Sequence, residues 1–527
     1  HFIVQVDADN GMGPQAFGLF GHVFDGRLFG ILQDFFIGSG PATDNVTNAC
    51  KHIPEDVCAD DRLSADNAFV IGDAATFDGL GGGDNHDGML LPAVLNPVGN
   101  LIGWIGKEMN QKTDKRAIWG WCLYDWANSA FPTLISTFVF ATYFTQAVAE
   151  TPEQGASQWG YATSVAALIV AFSAPILGAV SDKAGRRKPW LFVLTGIGAT
   201  ATAALWWALP DASAVPLALG LMVLGTICFE LGMVFYNAML PDVAPDGMTG
   251  RISGWGWGLG YGGGLAALSI SLVVFVQPDP AWFGLDKNSS EHIRAIPVLA
   301  GVWMALFAIP LFLWTPDRQD TGISAGTAIR EGISTLIGTI RHLGRYRQVL
   351  RFLIARMFYT DGLNTLFAFG GIFAAVSFGM ESDEVLMFGL TLNVTAGLGA
   401  AGFAFLDDKW GPKPVITLSV GAIAVIGIAM LMVTDKSVFW ALGMGLGLFL
   451  GPSQAASRSM MARIAPAALR TEFFGLYALS GKATAFLGPA LLAVVIDITD
   501  SQRIGMATII PFLILGLILL QWVREDT

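Results

Sequence analysis

From Trp119 onward the chain is written almost wholly in apolar blocks of about 20 residues, and this constrains its fold more than any single motif. A helix rises about 1.5 Å per residue, so such a block crosses a hydrocarbon core about 30 Å thick. Twelve blocks can be read, at roughly 119–148, 158–180, 190–209, 215–240, 253–276, 295–314, 349–378, 385–405, 414–433, 438–458, 473–496 and 504–523. Lipid offers the backbone no water to bond, which leaves helices and closed barrels as the only spanning structures, and blocks this long and continuous are helical. Composition agrees: 53% hydrophobic and 14% charged residues, where soluble domains carry about 25% charged. The expectation is an all-α integral membrane protein of twelve transmembrane helices.

The formal charge of −12 is unevenly placed. Residues 1–108 hold 15 acidic and 4 basic side chains, so the remaining 419 residues are nearly neutral and the acidity says nothing about a transported or bound charge. This first stretch is Asp- and Gly-rich and lacks both an apolar run of spanning length and the basic-then-apolar pattern of a signal peptide. Asp7-Ala-Asp9-Asn10-Gly11 and Asp84-Asn85-His86-Asp87-Gly88 lack the alternating ligands and closing Glu of a calcium loop, and read as turns. Residues 1–108 are expected to be an extension without a stable fold, with Met109 a natural start ahead of a basic leader; a small accessory domain is the alternative. Cys50, Cys58, Cys122 and Cys228 have no metal-ligand spacing, and no metal or cofactor is expected.

Basic residues alternate between loops. One side holds 20 Lys and Arg, among them Lys183, Arg186, Arg187, Lys188 and Arg251, against 4 on the other: Lys287, Arg294, Lys436 and Arg503. The positive-inside rule then places both termini in the cytoplasm, which requires an even number of spans. The longest basic connection, 315–348, lies between a half at 109–314 and a half at 349–527. Its Ile329, Ile333, Leu336, Ile337, Ile340 and Leu343 suit an amphipathic helix at the membrane surface.

The two halves repeat each other. Asp125-Trp-Ala-Asn128-Ser129-Ala-Phe131 returns as Asp361-Gly-Leu-Asn364-Thr365-Leu-Phe367 on spans 1 and 7. Asp182-Lys-Ala-Gly185 returns as Asp408-Lys-Trp-Gly411 after spans 2 and 8, and Ala244-Pro245 with Gly254 returns as Ala465-Pro466 with Gly475 after spans 4 and 10. Three landmarks in the same order define a parallel 6+6 duplication, an architecture of secondary transporters. In span 5 the glycines form two four-residue ladders, Gly254/258/262 and Gly256/260/264, that let neighbouring helices approach closely.

The loop Gly178-Ala-Val-Ser-Asp182-Lys-Ala-Gly185-Arg186-Arg-Lys188 resembles the loop 2–3 signature of the major facilitator superfamily. Tyr124-Asp125-Trp-Ala-Asn128-Ser-Ala-Phe131, Gly451-Pro-Ser-Gln454-Ala-Ala-Ser457-Arg458 and Glu472-Phe-Phe-Gly475-Leu-Tyr477 are similar to the first, tenth and eleventh helices of its vacuole-effluxer-like family. That family unites fungal vacuolar amino-acid effluxers with a large bacterial branch. The resemblance covers about 112–527. It implies the major facilitator fold, with spans 1, 4, 7 and 10 around a central cavity, and it suggests amino-acid efflux.

An ionisable side chain at mid-span costs about 2.5–3.5 kcal/mol, so those present need a partner or a task. Asp125, Glu230, Arg356, Asp361 and Lys482 are such groups, and with Asn128 and Asn364 they are the candidates for binding solute and proton. Glu230 is the first candidate proton carrier, since no basic residue lies within a helical turn of it. Arg356 or Lys482 suits a solute carboxylate; Asp125, Asp361 and the two Asn suit an amine or hydroxyl. Pairing across helices, locking the halves, is the structural alternative for each. Asp182, Gly185, Arg186, Asp408, Gly411 and, at a span end, Arg458 are candidate gating residues, their contacts made in one cavity orientation and broken in the other.

The function expected is proton-coupled secondary transport of a small polar solute, an amino acid with efflux favoured, by a monomer in the cytoplasmic membrane. A non-transporting sensor predicts binding without flux, and a lipid flippase predicts stimulation by phospholipid. With no P-loop, nucleophile elbow or metal cluster in the sequence, an enzyme is not expected, nor is a nucleic-acid partner.

Overall fold

The computed structural model describes residues 114–524, and every regular element among them is helical. The extension 1–108, its two Asp-Asn-Gly clusters and the basic leader as far as residue 113 lie outside the described residues.

Eleven helices among the described residues are long and apolar enough to cross a bilayer. The twelfth crossing, the first among the described residues, is segmented. Helix Lys115–Asn128 gives way to π-helical turns at Phe131–Phe138, a short α-helical stretch Phe140–Tyr143 and further π-helical turns at Phe144–Val148. Pro132 stands at the start of the widened stretch, where its missing N–H breaks the regular ladder. Spans 2 to 6 are Pro152–Ala184, Lys188–Ala204, Val215–Val243, Thr249–Ile270 and Glu291–Trp314. Spans 7 to 10 are Arg347–Phe378, Ser382–Trp410, Pro412–Met432 and Lys436–Ile464. Span 11 is divided into Arg470–Ala483 and Leu487–Thr499, and span 12 into Gln502–Ala507 and Ile509–Gln521.

The central connection carries a helix at Ala325–Arg341, started by Ser324, whose hydroxyl accepts from Thr327 N. Its small and apolar face (Ala328, Gly332, Leu336) is buried, with Gly332 against the backbone of span 2 at Ala179 and Val180. Ile329, Ile333, Ile337 and Ile340 form an exposed stripe on the other side.

Two close-packed seams join the halves, span 2 with span 11 and span 5 with span 8. Both are made possible by glycine. Gly178 rests on the Thr471 carbonyl and Gly475 on the Ala174 carbonyl, where a Cβ would collide with backbone. In span 5, Gly254 and Gly258 meet Ala404 and Gly397 of span 8, whereas Gly256, Gly260 and Gly264 meet Asp125, Ser129 and Thr133 of span 1, and Gly262 meets Trp126 of span 1. Side chains on outward faces are apolar, as with Leu168 and Phe172 on span 2 and Val425 and Met432 on span 9, all mostly exposed. Polar side chains turn inward. Lipid outside and polar groups inside is the inverse of a soluble protein, and it places the chemistry between the halves.

Candidate functional site

A cleft opens between the two halves. Asp125, Asn128, Ser129 and Thr133 of span 1 line it, with Met233 of span 4, Trp257 and Tyr261 of span 5, Asn364 of span 7 and Asn393 of span 8. From these mid-span residues the lining continues to Thr137 and Phe138 of span 1, Leu268 of span 5 and Leu390 of span 8, away from the basic loops, so the cleft faces away from those loops. Its polar lining is amides, hydroxyls and one carboxylate.

That carboxylate belongs to a buried ion pair beneath the cleft. Arg458 Nη1 lies 2.9 Å from Asp125 Oδ2, with the arginine 1% and the aspartate 7% exposed. The guanidinium is bonded along its length to one half of the molecule. Its Nε donates to Ser253 Oγ at 2.9 Å, Nη2 donates to the Ser253 carbonyl at 2.5 Å, and Nη1 also reaches Asn237 Oδ1 at 3.4 Å. It sits over the rings of Trp121 and Tyr236, at 4.8 and 5.6 Å, and those rings are themselves stacked. Arg458 comes from span 10 and all these partners from spans 1, 4 and 5, so one side chain ties the C-terminal half to the N-terminal half. The sequence places Arg458 at the end of its span; the structure draws it six residues inward from Ile464, about 9 Å by helical rise.

Nearer the basic loops, two latches repeat one geometry. Asp182 accepts from Thr471 Oγ1 at 2.7 Å and Glu472 N at 2.9 Å, in the first turn of span 11. Asp408 accepts from Gly250 N at 2.7 Å and Arg251 N at 3.3 Å, in the first turn of span 5. Each carboxylate leaves its own half and meets the unsatisfied N–H groups and positive dipole end of a helix in the other. Gly185 and Gly411 have φ of +90° and +89°, a region closed to most side chains, and each ends the helix that presents the aspartate.

The cation in the first latch is Arg187 rather than Arg186. Arg186 is exposed and only approaches Asp320, at 3.7 Å. Arg187 is 1% exposed, donates to Thr471 Oγ1 at 2.8 Å and pairs with Asp242 at 2.6 Å. Arg470 holds the same Asp242 from the other half at 3.0 Å. Burial in this crowded spot, with Arg318 close by, pulls the Arg187 guanidinium below its usual basicity. In the second latch, Arg463 pairs with Asp407 at 2.8 Å. None of Arg187, Asp242, Asp407 or Arg463 was among the candidate binding or gating residues the sequence offered.

The remaining candidates divide. Asn128 and Asn364 line the cleft. Glu230 does not stand alone as expected: Lys482 Nζ donates to it at 2.7 Å, from span 11 to span 4. Arg356 donates to the Tyr477 carbonyl and Ser480 Oγ at 2.8 and 2.9 Å and lies over the Tyr477 ring. Neither cation lines the cleft or pairs with a residue that does, as Arg458 pairs with Asp125, so in this state neither is placed to hold a solute carboxylate there. Asp361 also turns away from the cleft: it is 1% exposed, and Oδ2 accepts from Gly488 N at 3.2 Å, at the start of the second segment of span 11. The repeated motif therefore puts both asparagines in the cleft but only one of its two aspartates.

Gly256 passes directly over the buried pair. A Cβ there would lie 2.5 Å from Asp125 Oδ2 and 2.9 Å from Arg458 Nη2. Gly256→Ala is expected to force the two apart and destabilise the closed state by about 1–3 kcal/mol, the usual range for overpacking. Gly262→Ala, whose Cβ meets only the ring of Trp126 at 3.3 Å or beyond, is the control. Thermal unfolding in detergent reads the difference; equal melting of the two variants would remove Gly256 from the account.

A family model described as vacuole effluxer Atg22-like matches residues 148–527. The uncharacterized MFS-type transporter YxiO of Bacillus subtilis (strain 168) is 27% identical over 412 residues, covering 77% of this chain and 94% of that protein. Autophagy-related protein 22 of Cryptococcus neoformans var. neoformans is 23% identical over 305 residues, 53% of this chain and 54% of the fungal protein. Among solved structures, the fold is similar to the major facilitator transporter FucP in its outward conformation, with a TM-score of 0.60 and 14% identity over 78% of this chain and 98% of FucP. The human organic anion transporter MFSD10 gives a TM-score of 0.60 at 15% identity, over 78% and 100%. The twelve crossings, the duplicated latches and the matched family agree: the chain belongs to the vacuole effluxer Atg22-like family and is a multi-pass secondary transporter of the major facilitator superfamily.

Proposed function

We propose that this transporter moves an amino acid or a similar small zwitterion across the cytoplasmic membrane by alternating access, coupled to protons, with both termini in the cytoplasm and with export favoured. The observation that carries the reading is the Asp125–Arg458 pair under the cleft. A zwitterion entering the cleft offers an ammonium to Asp125 and a carboxylate to Arg458, replacing each member's partner without leaving a buried charge bare. A sugar offers no such exchange. Because Arg458 is the tie between the halves, splitting the pair loosens the floor on the basic side, so recognition and opening become one event. Asn128, Asn364 and Asn393 supply hydrogen bonds to the rest of the solute.

Support for export comes from the family's effluxer relatives, and support for the cytoplasmic orientation from the basic loops. Under this orientation the structure is the outward-facing state, loaded or emptied from outside. A thermal-shift series on purified protein with amino acids, sugars and nucleosides tests the solute class, since a ligand of the native state raises apparent stability. Amino acids alone are expected to raise the melting temperature, and the rise is expected to vanish when either the ammonium or the carboxylate is blocked. A response to sugars, or an unchanged response to the blocked compounds, rejects the zwitterion.

A further inference from the structure

We propose that Asp361 is the proton-binding group of this transporter and that its proton controls the break in span 11. The inference rests on the proposed proton coupling and gives it a place. Three of the ionisable groups at mid-span already have charge partners or are tied to backbone: Asp125 by Arg458, Glu230 by Lys482, and Arg356 by Tyr477 and Ser480. Asp361 is different. It is 1% exposed, its Oδ2 accepts one backbone N–H, and among the described residues its Oδ1 has no hydrogen-bond partner.

The duplication accounts for the missing cation. Spans 4 and 10 are related by the offset that takes Ala244-Pro245 to Ala465-Pro466, and the same offset takes Asn237 to Arg458. The N-terminal Asp125 has its arginine from span 10; the residue that pseudo-symmetry would give Asp361 from span 4 is a neutral amide, and that amide is turned toward Arg458 instead. Among the described residues, no charge on the packed elements replaces it. Along its own span, Tyr359 bonds Ser457. Segment Ile509–Gln521 of span 12 has no ionisable residue, and Arg503 just before it is bonded to the carbonyls of Leu431 and Val433. On span 11, Lys482 is held by Glu230, Asp497 lies nine residues beyond Gly488, and Arg470 and Glu472 belong to the latch end. On spans 8 and 10, Glu384 pairs with Lys436, and Asp407 and Asp408 pair with Arg463 and Arg251. A carboxylate this dry, with no counter-ion, is costly when charged.

The single bond it does make gives the proton something to act on. Span 11 stops at Ala483 and resumes at Leu487, and Gly488 N belongs to the first turn of the resumed segment. Charged Asp361 is stabilised by that N–H and by the segment's positive dipole end, so it holds the two segments apart. Taking a proton from water in the cleft onto Oδ1 removes the charge that anchors the break. Asn364, one helical turn along the same span, lies in the cleft and marks the point of entry. The segment before the break carries Lys482 and, at its other end, the Thr471 and Glu472 of the latch. Protonation at Asp361 is thereby linked to both inter-half contacts of span 11.

The test uses the full chain in liposomes with no solute, so a failure to find amino-acid flux leaves it standing, and its own failure leaves the solute reading untouched. Infrared difference spectra between acid and alkaline pH are expected to show a carboxylic C=O band that disappears in Asp361→Asn and persists in Glu472→Gln. With the four native cysteines replaced, spin labels at Tyr161→Cys and Ile498→Cys, exposed on spans 2 and 11, report the bend. Their separation is expected to shift with pH in the parent and to stay at its acid value in Asp361→Asn. Should Asp361→Asn not fold, Asp361→Glu is expected to move the band instead of abolishing it. A pH response unchanged in Asp361→Asn, a band unmoved in Asp361→Glu, or a shift produced by sodium at fixed pH would overturn the proposal.

Discussion

Arg458→Leu is expected to abolish transport and to destabilise the protein by about 3–5 kcal/mol, because it leaves Asp125 charged, buried and without a partner. The loss should exceed that of any other single replacement in the cleft. Arg458 makes four polar contacts to the N-terminal half, and Leu restores none of them. The diagnostic is the double variant. Arg458→Gln with Asp125→Asn removes both charges together, so most of the stability should return while transport stays absent, since neither end of a zwitterion then finds its charge. Chemical or thermal unfolding in detergent gives the first readout and flux of the amino acid identified by thermal shift gives the second. If the double variant transports, the pair is only a structural tie and the solute binds elsewhere.

Much of this architecture is legible in the sequence because it depends on period and repetition. Block length gives the spans, the duplicated motifs give the two halves, and the aspartate–glycine turns give the latches. The first span was legible as one block but not as a segmented helix, since Pro132 alone does not say how the backbone will widen around it. Pairings across the halves were hidden for a simpler reason. Glu230 looked unpartnered because inspection of its own helix cannot see Lys482, 252 residues away. Asp125 and Arg458, 333 residues apart, stood out singly and not as a pair. In Arg186-Arg187-Lys188 nothing local tells which cation turns inward. One signal was available and went unused: aligning spans 4 and 10 by their Ala-Pro ends sets Asn237 against Arg458, and so marks where the charge symmetry breaks.

Removing both latch carboxylates, with Asp182→Ala and Asp408→Ala together, is expected to turn the population from closed to open on the basic side. Each aspartate accepts two hydrogen bonds from the first turn of a helix in the other half. A hydrogen bond to a charged group contributes about 1.5–3 kcal/mol. Reversing a population from about 1:99 to 99:1 takes about 5.5 kcal/mol, which one latch, at about 3–6 kcal/mol, reaches only at its upper limit and two latches, at about 6–12 kcal/mol, exceed. Single variants should therefore give a mixture, and the double variant a majority of the open state. Spin labels at Arg116→Cys and Lys409→Cys, exposed at the basic end of the N- and C-terminal halves respectively, report the opening as a lengthened distance. The double variant should lengthen it further than the sum of the two singles, because each latch alone still holds the common rigid-body motion. A double variant with the parent's distance would mean that the glycine seams, at Gly178 and Gly475 and at Gly254 and Gly258, together with the Arg458 and Arg470 pairs, close the basic side without the latches. A single variant that opens fully would mean that the second latch holds nothing once the first is gone.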